Sequence, residues 1–291
     1  MALLQQIING LSLGSIYALI ALGYTMVYGI IKLINFAHGD IYMIGAFIGL
    51  YCGKNLGLSL LPTLIISMIG AALCGVIIEK VAYKPLRNSQ RITLLITAIG
   101  ISLLLENGMK LAVGSSPKAF PKLLSTEVIK LGSLSLETSK ILMLVVSIML
   151  VVFLQFIVFK TKIGKAMRAA SYDIEAASLM GINVNNIISI TFAIGSALAG
   201  AAGVLVSLAF KVVEPYMGMI PGLKGFIAAV LGGIGSIPGA LIGGLLIGLT
   251  ETLTKAYIST ILSDAIVFAI LIIILLVKPS GLLGIKINEK V

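Results

Sequence analysis

Two short stretches interrupt an otherwise apolar chain with side chains able to do chemistry. INFAHGD, Ile34 to Asp40, brings Asn35, His38 and Asp40 close together. SYDIEAASLMGIN, Ser171 to Asn183, carries Asp173 and Glu175, with Gly181 behind them. A histidine near a carboxylate suits proton transfer or metal binding, but both roles need further partners. The chain holds 1 His and 2 Cys, Cys52 and Cys74, with both cysteines in apolar runs. That set makes neither a catalytic triad nor a zinc site, and the cysteines read as small packing residues. No phosphate-cradling G-x-x-x-x-G-K-[ST] occurs, since Gly53-Lys54 continues with Asn and Gly164-Lys165 with Ala. GGIGSIPG, residues 232–239, is glycine-rich but lacks the dinucleotide spacing. The chain by itself is expected to be no enzyme and to bind no cofactor or metal.

These polar groups sit in a particular solvent. Of 291 residues, 59% are hydrophobic and 11% charged, and the mean hydropathy is +1.14. A soluble domain carries about 25% charged residues, so this composition defines an integral membrane protein. The net charge of +10 lies between apolar runs, where it sets topology rather than recruiting nucleic acid. Residues 1–31 hold no charged side chain and read as a first span, not a cleaved leader.

A helix needs about 20 apolar residues to cross the bilayer. Runs at 7–30, 34–52, 58–78, 92–113, 141–159, 187–210, 225–250 and 261–277 meet or approach this. The expected fold is an all-α bundle of about eight transmembrane segments forming one domain over 1–291. Alternating period-2 patterns are absent, which disfavours a β-barrel. Basic residues cluster in 79–91 (Lys80, Lys84, Arg87, Arg91), in 160–186 (Lys160, Lys162, Lys165, Arg168) and in the tail (Lys278, Lys286, Lys290). These segments are expected in the cytoplasm. The 114–140 loop then lies outside, although it carries Lys118, Lys122, Lys130 and Lys140 against Glu127 and Glu137. A single crossing at 225–250 would put the basic tail outside. A broken or re-entrant helix pair there removes the conflict, and its glycines and Pro238 favour a break.

Small residues recur every four positions at Gly10/Gly14, Ser196/Gly200, Gly235/Gly239/Gly243 and Gly244/Gly248. Such stripes let helix backbones approach closely, or line a narrow path. Asn35, His38 and Asp40 are costly in lipid. Either they cap a helix start at the cytoplasmic interface, with Asp40 as N-cap and Gly39 in a loop, or they line a path or gate. Glu106, beside Asn107, is read near the outer end of its span, interfacial or facing a vestibule.

Within SYDIEAASLMGIN, Asp173 suits an N-cap and Glu175 a first helical turn. Ala176, Ala177, Leu179 and Met180 favour helix, and Gly181 suits the position just past its end. About two turns of helix are unstable alone in water. This piece must dock, on its own membrane domain or on a cytoplasmic partner.

EAASLMG resembles the E-A-A-x-x-x-G loop of importing ABC-transporter permeases, without the usual I-x-L-P continuation. NGLSLGSIYALIALGYTMVYGI (9–30), INFAHGDIYMIGAF (34–47), AAVLGGIGSIPGALIGG (228–244) and KPSGLLG (278–284) resemble the branched-chain amino-acid permease family, in particular the first of its two paralogous membrane subunits. The resemblance covers nearly the whole chain. It implies a multi-pass protein of a bacterial or archaeal cytoplasmic membrane, working by alternating access. Its implied partners are a paralogous second permease, two cytoplasmic ATPase subunits that hold the ATP and Mg, and an extracytoplasmic substrate-binding protein. It makes 160–186 a coupling loop, with Asp173, Glu175, Ala176, Ala177, Met180 and Gly181 meeting an ATPase. The candidate path or gate comprises Asn35, His38, Asp40, Gly232, Gly233, Gly235, Pro238 and Gly239, with half-helix N-termini in 228–244 facing a substrate carboxylate. Leu, Ile and Val are the implied substrates. Urea, short amides or other amino acids are close rivals, and an ion-coupled secondary transporter or a bilayer enzyme are more distant ones.

Overall fold

The computed structural model describes residues 2–87, 89–124, 128–131 and 134–284. Glu127, Lys286 and Lys290 therefore lie outside the described residues. The helices are α1 (Ala2–Ile31), α2 (His38–Asn55), α3 (Leu60–Ile78), α4 (Lys84–Leu86), α5 (Arg91–Val113), α6 (Thr138–Lys160), α7 (Lys162–Tyr172), α8 (Ile174–Leu179), α9 (Val184–Phe210), α10 (Met219–Gly232), α11 (Ile237–Tyr257) and α12 (Leu262–Val277). One π-helical turn, Glu79–Tyr83, joins α3 to α4. Four short strands, β1 (Lys118–Ala119), β2 (Val128–Leu131), β3 (Leu134–Glu137) and β4 (Val212–Val213), form two antiparallel pairs, β1 with β4 and β2 with β3.

Only a helix satisfies its backbone within a single segment in lipid, and the apolar runs fold accordingly. Among the described residues six helices, α1, α3, α5, α6, α9 and α11, are long and apolar enough to span. The others differ from the eight segments expected. α10 and α12 have 14 and 16 residues, and α2 has 18, among them His38, Asp40 and Lys54. The run read as 225–250 is two helices, broken at residues 233–236. They return on each other so tightly that a Cβ on Gly243 would strike the Ala228 carbonyl.

α1 is the axis of the bundle, and Ile16 and Ala18 to Leu22 are fully buried. Glycine allows its neighbours their approach. A Cβ on Gly14 would lie 2.8 Å from the Leu245 backbone of α11. The stripe of α9 meets α2 and α3 in the same way, with Gly200 against Gly45 and Ser196 against Gly75. These spacings are sites of close packing. Outward, α3, α5, α6 and α12 present Leu, Ile, Val and Phe to the bilayer, among them Leu73, Leu104, Phe153 and Leu276.

The basic ends of α3 and α6 define the cytoplasmic side. α1 then runs inward, α2 outward, α3 inward, α5 outward, α6 inward and α9 outward. At the outer side β1 pairs with β4, and the Phe120 N–H donates to the Lys211 carbonyl. The chain descends again through α10, ascends through α11 and returns through α12, which leaves the tail on the cytoplasmic side. There the Leu282 and Leu283 amides donate to the Leu231 and Gly232 carbonyls. The topology conflict at the tail disappears because α10 and α11 are separate arms of a hairpin.

Two helices start inside the bundle rather than at a surface. His38, the first residue of α2, lies beside Gly23, two turns before α1 ends. Gly218, the N-cap of α10, meets Gly39. The starts of α2 and α10 thus converge at depth.

Candidate functional site

The cytoplasmic handle is built from α7 and α8. Thr161 caps α7, accepting from the Gly164 N–H at 3.1 Å. The Gly164, Met167 and Ala170 face of α7 is buried across the end of the bundle. Arg168 anchors it by donating to the Val158 carbonyl and lying over the Phe159 ring. Asp173 then caps α8, its Oδ1 accepting from the Glu175 and Ala176 amides at 2.9 Å each. At the other end Ile182 N–H donates to the Ala177 carbonyl and Gly181 N–H to Ser178. That crossed pair requires the left-handed backbone of Gly181, φ +82°.

α8 divides its residues sharply. Ala177 is buried, whereas Tyr172, Leu179 and Met180 are 89%, 88% and 82% exposed. Ala176 and Glu175 are exposed as well. Glu175 borders a cleft of about 540 Å³ that also meets Lys84, Arg87 and Asn185. On the other side of that cleft Arg87 pairs with the fully buried Glu79 and donates to Asn185 Oδ1 of α9. The Ser189 hydroxyl of α9 donates to the same Glu79 at 2.7 Å. α8 itself packs against α7 and α9.

The INFAHGD residues separate into three roles. Asn35 Oδ1 accepts from the Tyr83 hydroxyl at 2.7 Å, near the cytoplasmic end of α3. His38 fills the notch left by Gly23 and meets Tyr24 edge-on at 4.9 Å. Asp40 is the third residue of α2, and the N-cap is Ala37, which makes no side-chain bond. The cap at an interface is thereby corrected: the helix begins three residues earlier, inside the bundle, with Gly39 within it. Asp40 lies against Ser102 and Glu106 of α5. Glu106 is 5% exposed and turned inward, so its interfacial reading is also replaced.

Gly232, Gly233, Gly235, Pro238 and Gly239 gather at the cytoplasmic turn, apart from Asp40. Gly233 has φ +102° and packs on Gly281 and Gly284 of the tail. Ser236 caps α11, accepting from the Gly239 N–H at 3.2 Å, with Pro238 in the first turn where no donor is needed. The helix starts that lie at depth are those of α2 and α10, not the start of α11.

Sequence reasoning missed a buried ion network. Lys224 Nζ lies 2.8 Å from Glu251 and 2.7 Å from Asp264. Glu251 also accepts from Lys255 and from the Tyr17 hydroxyl at 2.7 Å. α1, α10, α11 and α12 are thus tied together. The spans were drawn at 225–250, just inside Lys224 and Glu251, and the signal lay in those flanking charges.

A helical bundle with inward helix starts and an exposed helical handle outside the membrane defines a transporter membrane subunit. The fold resembles a solved metal-chelate type ABC transporter in an inward-facing conformation, with TM-score 0.50 and 17% identity, covering 93% of this chain and 85% of that one. That likeness is one of fold alone. The chain belongs to the family of branched-chain amino acid transport system permease components, whose model matches residues 6–275. It is 43% identical to the high-affinity branched-chain amino acid transport system permease protein BraD of Pseudomonas aeruginosa, over 99% of this chain and 98% of that protein. It is 45% identical to the permease protein LivH of Escherichia coli strain K12, over 99% of this chain and 97% of that protein. The family and the apolar helices make it a multi-pass protein of the cytoplasmic membrane.

Proposed function

We propose that this chain is one of two paralogous membrane subunits of an ATP-driven importer for Leu, Ile and Val. ATP binding and hydrolysis occur on two cytoplasmic ATPase subunits, and an extracytoplasmic binding protein delivers the amino acid. The chain itself catalyses no chemistry. Family membership and near full-length likeness to BraD and LivH support this reading.

The observation that carries the coupling role is the exposed apolar crown of α8. Tyr172, Leu179 and Met180 lie beyond the basic residues Lys160, Lys162, Lys165 and Arg168, on the cytoplasmic side and outside the apolar runs. Apolar side chains left so exposed there serve as an interface. α8 seats in a cleft of an ATPase subunit, and closure of the ATPases pushes it against α9 and the Arg87–Glu79 pair. The helices then tilt and the path changes the side to which it opens.

A cysteine at Leu179 should crosslink to an ATPase subunit in native membranes, and the yield should change when ATP is trapped. Ala177 is unsuitable because it is buried against its own chain. Absence of any crosslink to a nucleotide-binding partner from Leu179→Cys, Met180→Cys and Tyr172→Cys alike would refute the docking role.

A further inference from the structure

The converging starts of α2 and α10 border a cavity of about 300 Å³, walled on its other side by α5. Its polar contributors include Asp40 and Glu106, and its apolar ones Leu95, Ile99, Leu103 and Leu223. Asp40 is 2% exposed, yet its Oδ2 has no hydrogen-bond partner among the described residues. Glu106 is 5% exposed and faces it. No lysine or arginine is among the residues lining the cavity. Two carboxyls so removed from water need a positive partner or a shared proton; Asp40 and Glu106 lie within hydrogen-bonding reach of each other, and among the described residues no cation stands beside them. α10 starts after Gly218, an N-cap with no side chain to bond, so the positive end of its dipole also faces this region. The geometry is close because Gly39, Gly218 and Gly222 carry no side chains: a Cβ on Gly39 would lie 2.5 Å from the Gly218 carbonyl oxygen.

We propose that this cavity is a binding site for a zwitterionic amino acid on its way through the membrane. The ammonium group lies between Asp40 and Glu106, the carboxylate faces the start of α10, and the branched side chain packs on Leu95, Ile99 and Leu103. The volume is at the lower end of small-molecule pockets, in keeping with a ligand of leucine's size. Exposed Leu103 and Met219 edge the site, at 54% and 58%, so it opens sideways between α5 and α10. The inference rests on the importer reading above and adds to it the place and chemistry of the site.

The test measures radiolabelled leucine binding to the purified complex of this chain with its partner permease and ATPases, free of the binding protein, and leucine uptake in liposomes that hold the same complex with the binding protein supplied. Asp40→Asn and Glu106→Gln should each lower leucine binding about tenfold, the scale of one lost charge-assisted contact. The ATPase subunits should still co-purify. On the wild-type complex, 3-methylbutylamine, which keeps the ammonium, should displace leucine better than 4-methylpentanoate, which keeps only the carboxylate. Wild-type binding in both variants, or displacement by the acid but not the amine, would overturn the site while leaving the importer reading intact. A wild-type complex that takes up no leucine would remove the importer reading, and the site with it.

Discussion

At the scale of single residues, the membrane interior gives each polar group a specific purpose. Lys224 and Glu251 are 3% and 2% exposed; removing one member of a buried ion pair costs up to about 3–5 kcal/mol, and without Glu251 the buried Lys224 keeps only the half-exposed Asp264. Glu251→Leu should therefore lower the melting temperature of the purified protein clearly. Adding Lys224→Met should restore part of the loss, since it removes a buried cation left with Asp264 alone. A double variant less stable than Glu251→Leu would contradict this account. Residue identity alone did not reveal the network, because a lysine beside an apolar run reads equally well as an interfacial anchor. His38 shows the reverse case. It was flagged for its chemistry, and its ring fills a notch opened by Gly23. A notch between two helices is a tertiary fact, and local sequence does not carry it.

At the scale of elements, α8 was legible almost atom by atom. Capping and C-terminal glycine rules act within a few residues, so Asp173 and Gly181 declare the limits of the helix wherever it docks. Asp173→Ala should cost α8 about 1 kcal/mol and speed amide exchange across 174–180, while Asp173→Asn should preserve protection because asparagine also caps. Equal exchange in the two variants would mean that the cap is dispensable. Gly181→Val forces a β-branched residue into φ +82°, a strain of about 1–2 kcal/mol. It should loosen the handle as Asp173→Ala does. The depths at which α2 and α10 start were not legible. Apolar content shows that a segment lies in the membrane, not at what depth it starts, and α2 and α10 are placed by glycine contacts between elements distant in sequence. The hairpin was anticipated from the glycines and Pro238, but its arms extend beyond the apolar run, to Met219 and Tyr257.

At the scale of the whole molecule, the bundle is tied together at both ends and along its axis. The α1–α11 seam is fixed by glycine contacts, the outer ends by the Lys224–Glu251–Asp264 network, and the cytoplasmic ends by Arg87 and Glu79. Topology follows from the same layout: a cysteine at Leu56 should label from outside intact cells, and one at Tyr172 only after the cytoplasmic face is opened. Both positions are exposed, at 56% and 89%, so the reverse pattern would invert the proposed orientation. The central claim is that α8 transmits ATP-driven motion to this bundle. Its most direct test is ATP-dependent leucine accumulation by liposomes holding the whole complex, with wild-type or Glu175→Lys chains. Glu175 borders a cleft lined by Lys84 and Arg87, and reversing its charge should expel α8 from its seat. The account predicts ATP hydrolysis with little or no accumulation in the variant and robust accumulation in the wild type. Equal accumulation in both would contradict it.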